Sequence, residues 1–254
     1  MIEEERTLPF QGLAEVYSND FYKNQSRIRA NHLLSVLSIE NIKSSVAVDL
    51  GCGNGLVSDI ISVGMNSRVV GVDISASMLG YSREYLIKNS NLNFINMNIT
   101  KLGFKNETFD LAYSLFDVLN YLNTEDFNKF LNDLKYITKN KGFIALDFLT
   151  PLAFYDTDKN PDSIQIGEDF YYISKTNKIS EELVNLDLTA FIKYRDDLYK
   201  KISEHHKLNL LNTTRIIKKL KDKDFTVKNV YDGEEIKEAD ENSWHVIIIA
   251  QNNA

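Results

Sequence analysis

Asp49, Gly51, Gly53 and Gly55 fall at alternate positions of VDLGCGNG, and Asp73 closes the next apolar run, RVVGVD. Glycine lets a backbone turn sharply and lets a ligand approach main-chain atoms that a Cβ would shield. A helix starting after Gly55 would aim its N-terminal amides at the same point. The dinucleotide fingerprint is G-x-G-x-x-G, and Leu56 stands where its third glycine belongs. Asp49 would face the ligand from just ahead of the loop and disfavour an anionic pyrophosphate. Asp73 is placed to accept from both ribose hydroxyls, because a carboxylate is acceptor-only and has two oxygens. The two acids together ask for a ribose that carries positive charge rather than phosphate.

A second group of residues has the chemistry to meet an acceptor. Asp117 lies in the apolar stretch LFDVLNYL, where a buried carboxylate needs a cation or a hydrogen-bond donor. An amine would supply that; capping of the following turn is the other use of such a residue. In YKKISEHHKLNLL, Glu204 and His206 project to one face of a strand and His205 to the other. The pair is either an ionic contact on a solvated face or a pocket-facing group with His206 as base. Cys52 is the single cysteine, so no internal disulfide forms, and it reads as a small residue between two loop glycines. No HEXXH or cysteine–histidine spacing points to a metal.

The elements that must carry these residues alternate between strand and helix over the first three-fifths of the chain. SRIRANHLLSVLS has an apolar stripe at Leu33, Leu34 and Leu37, which predicts a helix over 26–38. Ser75 is placed to N-cap ASMLGYSREYLIKN, and Thr124 begins EDFNKFLNDLKYI with acids matched to the helix dipole. LNFINM reads as a third strand ending at Asn98, and Gly142 leads into a fifth. Ser114 and Leu115 sit at the carboxyl end of the fourth, where open α/β sheets place their ligands. From Pro151 to about Leu211 the period changes: DFYYISK, LVNLDLTAFIKY and LYKKISEHHKLNL predict an inserted antiparallel sheet. A helix, TTRIIKKLKDK, and two strands, FTVKNVYD and WHVIIIA, close the chain.

The blocks VDLGCGNG, GVDIS, FDLAYSLFDVLNYL and KGFIALDF, in this order, identify the chain as resembling the class I S-adenosylmethionine-dependent methyltransferases. The resemblance implies a Rossmann-like α/β fold with a seven-stranded, mostly parallel sheet and a small antiparallel β lid. It divides the chain into an N-terminal helical segment, 1–40, closing over the cofactor, a cofactor-binding domain formed by 41–150 and 211–254, and a lid at 151–210. The cofactor it implies is S-adenosyl-L-methionine, with S-adenosyl-L-homocysteine as product. The residues it places at the cofactor are Asp49, Gly51, Cys52, Gly53, Gly55, Asp73, Ile74, Met78, Asn98, Ile99, Ser114 and Leu115. Asn98 departs from the family's usual aspartate, but its carbonyl oxygen still accepts from an adenine amino group. Tyr17 and Tyr22 correspond to N-terminal aromatics that close over the sulfonium, a contact worth roughly 0.5–2 kcal/mol, unless they simply pack the helix on the core. Arg27 and Arg29 are candidates for the cofactor carboxylate, with surface exposure as the alternative. The tyrosine-rich insertion resembles the lid of small-molecule N-methyltransferases acting on glycine and on amino sugars. The acceptor expected is therefore a small molecule, and an amine nitrogen before a hydroxyl, with Asp117, Glu204 or His206 orienting it or taking its proton.

Composition narrows the classes. The net charge of −7 disfavours a nucleic-acid partner, since phosphate neutralisation needs a basic surface. No apolar run reaches membrane-spanning length and MIEEERTLPF lacks a signal-peptide core, so a cytoplasmic protein with no membrane partner is expected, with a homo-oligomer left open. Two rivals remain: a nucleotide oxidoreductase on a similar sheet, disfavoured by Asp49 and Leu56, and a binding module that has lost its chemistry.

Overall fold

The computed structural model describes residues 9–155 and 163–253. The first eight residues of the N-terminal segment and residues 156–162 of the insertion lie outside it. The chain runs α1 (Ala14–Tyr17), α2 (Asp20–Ile39), β1 (Val46–Leu50), α3 (Leu56–Met65), β2 (Arg68–Asp73), α4 (Ala76–Lys88), β3 (Leu92–Asn96) and β4 (Phe109–Ser114). A 3-10 turn, Val118–Tyr121, then leads to α5 (Thr124–Ile137), β5 (Thr138–Leu149) and α6 (Leu152–Tyr155). Four strands follow, β6 (Ser163–Ile166), β7 (Phe170–Ser180), β8 (Leu183–Arg195) and β9 (Leu198–Asn209), before α7 (Thr213–Lys221), β10 (Phe225–Asp232) and β11 (His245–Asn252).

Seven strands form one sheet in the order β10-β11-β5-β4-β1-β2-β3. β11 pairs antiparallel with both β10 and β5, and β1 to β5 pair parallel. Strand order reverses between β1 and β4, and the crevice at such a reversal is where open α/β sheets bind ligands. β11 is apolar on both faces because it lies between two strands with cover above and below, which is why HVIIIAQN does not alternate. One core on the first face joins Val48, Leu50 and Phe148 to the α5 stripe of Phe127, Phe130, Leu131 and Leu134. On the other face Leu33, Val36 and Leu37 of α2 meet Ile61 and Ile249.

The second sheet, β6-β7-β8-β9, is antiparallel throughout and made of hairpins. Its inner face packs Tyr172, Leu188 and Ala190 against Leu13 and Val16 of the N-terminal segment. Several boundaries differ from the sequence reading. α2 starts six residues earlier than expected, because the Asn19 side chain accepts from Tyr22 N and caps it there. Asn123 rather than Thr124 caps α5, accepting from Asp126 N. β5 begins at Thr138, since a register shift in its pairing with β4 absorbs Gly142. β3 ends at Asn96, whose side-chain amide donates to the carbonyls of Asp73 and Ile74.

Candidate active site

The glycine loop sits at the carboxyl end of β1. Gly51 and Cys52 donate their amides to the Val72 carbonyl at 2.8 and 3.0 Å, which folds the loop back on β2. Gly51 has φ +87°, and a Cβ there would lie 2.5 Å from Val118 Cγ2. Gly53 has φ +55°, with Met78 Cε 3.1 Å from where its Cβ would stand. Both positions need glycine for conformation and for close approach. Met78 is buried against this loop, Ile74 lies between Asp73 and the α4 cap, and Ser75 accepts from Met78 N as that cap.

Asp73 accepts from Gly53 N at 2.8 Å through one carboxylate oxygen and from Ser75 N at 2.7 Å through the other. Each oxygen keeps a further lone pair, which suits two adjacent hydroxyl donors. Burial pushes its carboxyl up, and the amides of Ser75 and Gly53 oppose that. A bound ribose would oppose it further.

Asp49 differs from its expected orientation. It is 2% exposed and accepts from Ser58 Oγ of α3 at 2.6 Å, beneath the loop rather than facing a ligand. Burial raises its carboxyl to about 7, against the Ser58 hydrogen bond. Strand alternation accounts for this, as Asp49 shares a face with Ala47 toward the α3 side. Cys52 is buried, and burial raises its thiol well above the ordinary range, as befits a packing residue. Ser114 spends its hydroxyl on the Leu50 carbonyl at 2.7 Å, tying the ends of β4 and β1. Leu115 and Ile99 are buried, while Asn98 is exposed and its carbonyl oxygen accepts from Thr100 N and Oγ1.

Opposite the loop, the lid and the N-terminal segment meet through Glu204 and His206. The solvated setting allowed for them does not hold: they are 8% and 4% exposed. Glu204 accepts from Gly12 N and Leu13 N on one oxygen, and from Phe10 N and His206 Nε2 on the other, at 2.7 to 3.1 Å. Burial raises its carboxyl, but the His206 contact and the three amides outweigh burial and hold it below the usual range. His206 Nδ1 lies 2.8 Å from the Tyr121 hydroxyl. His205, on the other face, contacts Asp187 in the open.

Aromatic rings crowd this junction. Phe10 packs edge-on to Tyr17, Tyr121 and His206, with centroids 4.8, 5.9 and 4.9 Å away. Tyr17 stacks on Tyr22 at 4.3 Å and meets the Tyr172 hydroxyl at 2.8 Å. Asn54 of the glycine loop donates to the Tyr17 carbonyl, and Ser75 donates to the Phe10 carbonyl. The rings therefore lie between lid and glycine loop, tied to both.

Asp117 stands at the start of the 3-10 turn, at φ +60°, directly after Phe116 at φ +68°. Two successive left-handed residues are costly. Asp147 of β5, fully buried, holds them by accepting from Phe116 N at 2.9 Å and Asp117 N at 3.0 Å. The Asp117 side chain does not cap the turn, and its Oδ1 is buried without a hydrogen bond. Burial, then the Asp147 charge, raise the Asp117 carboxyl to about 7. His245 Nε2 lies 3.1 Å from Asp147 and Nδ1 3.3 Å from Glu234. Burial alone would depress this imidazole, but the two carboxylates raise it to about 9. Asp117, Asp147 and His245 are the group among the described residues whose ligand atoms, within 4.8 Å of one another, could hold a metal ion. Both nitrogens of His245 are already engaged, Nε2 with Asp147 and Nδ1 with Glu234. Arg29 turns into this cluster: it pairs with Glu234 at 2.9 Å, contacts His245 and lies over Phe116, whereas Arg27 is exposed.

Sequence reasoning missed Tyr121, Tyr172, Asp147 and His245. Tyr121 lay in a quoted motif, and an acid in the apolar strand IALDF was the available signal for Asp147. Nothing local marks His245, whose partners are distant in the chain.

A glycine loop after β1, an acid closing β2 and a seven-stranded sheet with β11 reversed make up the Rossmann-like methyltransferase fold. A methyltransferase domain family model matches residues 47–142. Over 189 residues the chain is 27% identical to an uncharacterized protein of Methanocaldococcus jannaschii, covering 67% of this chain and 77% of that one. An S-adenosylmethionine-dependent methyltransferase from Clostridium acetobutylicum superposes with a TM-score of 0.81 at 18% identity, over 95% of this chain and 98% of that one. A sugar N-methyltransferase from Streptoalloteichus gives 0.74 at 13% identity, over 92% of each chain. At those identities the likeness is one of fold. Among the described residues no helix is long and apolar enough to cross a membrane.

Proposed function

We propose that the protein methylates a small amine enclosed between the glycine loop and the four-stranded lid. The observation that carries this reading is the aromatic enclosure of Phe10, Tyr17, Tyr22, Tyr121 and Tyr172, together with Asp117, four residues before Tyr121, whose buried Oδ1 makes no hydrogen bond and lies 3.7 Å from His245 Nε2. Ring faces attract cations, and a buried carboxylate oxygen with an ionic neighbour at 3.7 Å but no hydrogen bond still asks for a donor. An ammonium group answers both. The sugar N-methyltransferase among the fold neighbours supports the choice of nitrogen over oxygen.

In this reading residues 1–40 close over the cofactor, 41–150 with 211–254 bind it, and 151–210 form the lid. Gly51, Gly53 and Gly55 give the loop its close approach, and Asp73 takes the ribose hydroxyls with its two remaining lone pairs. Ile74, Met78 and Ile99 flank the adenine, and Asn98 offers its side-chain amide. Asp49 and Cys52 support the loop from behind, and Ser114 and Leu115 close the cofactor cleft at β4. Tyr17 and Tyr22 shield the sulfonium, and Arg29 takes the carboxylate if it leaves Glu234. When bound, S-adenosylmethionine supplies a methyl group on a positively charged sulfur that departs as a neutral thioether. The chain's part is to orient the acceptor, exclude water and hold its charge.

Calorimetric titration with S-adenosylmethionine and S-adenosylhomocysteine tests the cofactor half, with Asp73→Ala expected to abolish binding. Labelled methyl transfer to a panel of primary and secondary amines tests the rest. Cofactor binding with turnover of hydroxyl compounds alone would reject the amine.

A further inference from the structure

Glu204, His206 and Tyr121 form a continuous hydrogen-bonded row from the N-terminal strap to the aromatic enclosure, with both contacts of His206 at 2.8 Å. The protons in this row are assigned by elimination. Glu204 is acceptor-only, so His206 Nε2 carries the hydrogen between them. A neutral imidazole then has a bare lone pair at Nδ1, and only the Tyr121 hydroxyl is there to donate to it. His206 is 4% exposed with both nitrogens taken, so it reaches nothing else directly. The Tyr121 oxygen, by contrast, keeps lone pairs beyond its contact with His206, and its ring stands 5.9 Å from Phe10 at the edge of the aromatic enclosure.

We propose that Tyr121 is a catalytic residue that takes a proton from the acceptor while passing its own phenolic proton to His206, with Glu204 as the buried anion against which the resulting imidazolium rests. The assignment rests on the reading above that a protonatable nucleophile is methylated. An acceptor that arrives as an ammonium must lose a proton before its lone pair is free. That proton moves from nitrogen to Tyr121 Oη as the phenolic proton moves to His206 Nδ1. Tyr121 remains a neutral phenol, the acceptor becomes a neutral amine, and the positive charge rests on His206 against the Glu204 carboxylate. The proton later leaves to solvent by the reverse path. His206 and Glu204 are positioning residues here, since neither touches the acceptor.

The test uses the full chain and Tyr121→Phe, which keeps the ring that packs on Phe10 and His206. Nitrogen NMR of the histidine ring reads the row without any acceptor. Neutral His206 should be protonated at Nε2 and bare at Nδ1, and the Nδ1 resonance alone should shift in Tyr121→Phe. An Nδ1-protonated neutral ring in the wild type would overturn the relay. With an amine that the wild type methylates, Tyr121→Phe should lower kcat about 100-fold, the usual worth of a positioned acid–base group, and leave the S-adenosylhomocysteine Kd unchanged. A variant within twofold of wild type would also overturn the relay and leave the amine reading standing. If the wild type methylates no amine in the panel, the amine reading falls and the NMR result alone decides the row.

Discussion

The turn after β4 depends on one carboxylate. Asp147 accepts from two amides held in left-handed conformation and contacts His245, all in a setting closed to water. Removing one partner of such a buried ionic arrangement is far more costly than its net worth. Asp147→Asn should destabilise the protein by about 3 kcal/mol in urea unfolding. A loss of under about 1 kcal/mol would mean the turn holds its own shape. Gly51 is the corresponding point in the glycine loop. Gly51→Ala places a Cβ 2.5 Å from Val118 at a φ of +87°. The strain displaces the loop, the turn or both, at about 1–3 kcal/mol, and S-adenosylhomocysteine affinity should fall at least about tenfold. Unchanged affinity by calorimetry would place the cofactor elsewhere.

At the scale of elements, the N-terminal segment behaves as a strap. Three of its amides end on Glu204 of β9, while Ser75, which caps α4, and Ser77 within it donate to Phe10 O and Gln11 Oε1. Lid and cofactor-side helix are thus joined through residues that have no regular structure of their own. Glu204→Gln weakens one end of this strap only. The amides of Phe10, Gly12 and Leu13 should exchange about tenfold faster with solvent, as expected for losing a charged acceptor. Amides of β1 and β4 should not change. Uniform acceleration across both sheets would mean that Glu204 supports the whole fold instead. Asn120, fully buried, makes the other tie: it bonds Leu149 through both its amide and its carbonyl oxygen, and Asn209 through its amide and backbone carbonyl.

For the whole molecule, the groups whose folded values are raised make stability fall as pH rises. His245 is raised to about 9 from an ordinary 6.5, so the folded state binds a proton there that the unfolded state releases first. Its contribution is complete below pH 6.5 and is lost as pH rises through about 9. Asp49 and Asp117, raised to about 7 by burial, oppose folding increasingly as pH climbs from 3.8 toward 7, with the same sign. The urea midpoint should therefore fall between pH 6.5 and 9, and His245→Gln should flatten that part of the curve. A wild-type midpoint constant across the window would show that His245 is not held as an imidazolium.

The order of strands and helices around Asp49, the glycines and Asp73 was legible from residue types, because hydrophobic period and glycine spacing are local properties of the chain. The inserted antiparallel sheet was legible for the same reason, through the change of period after Pro151. What a side chain faces is a different matter, since it depends on what folds against it. Asp49 turned beneath the loop because its strand face belongs to α3 and Ser58. Glu204 and His206 became buried because the N-terminal strap, nearly two hundred residues away in sequence, closes on them. Arg29 met Glu234 and His245 rather than open solvent, and Tyr121 acquired its partner from β9. The sequence by itself thus determined the class of fold and the place of the glycine loop. Only the tertiary structure decided which acids and histidines share a proton, because burial and hydrogen-bond partners are set by contacts between distant segments.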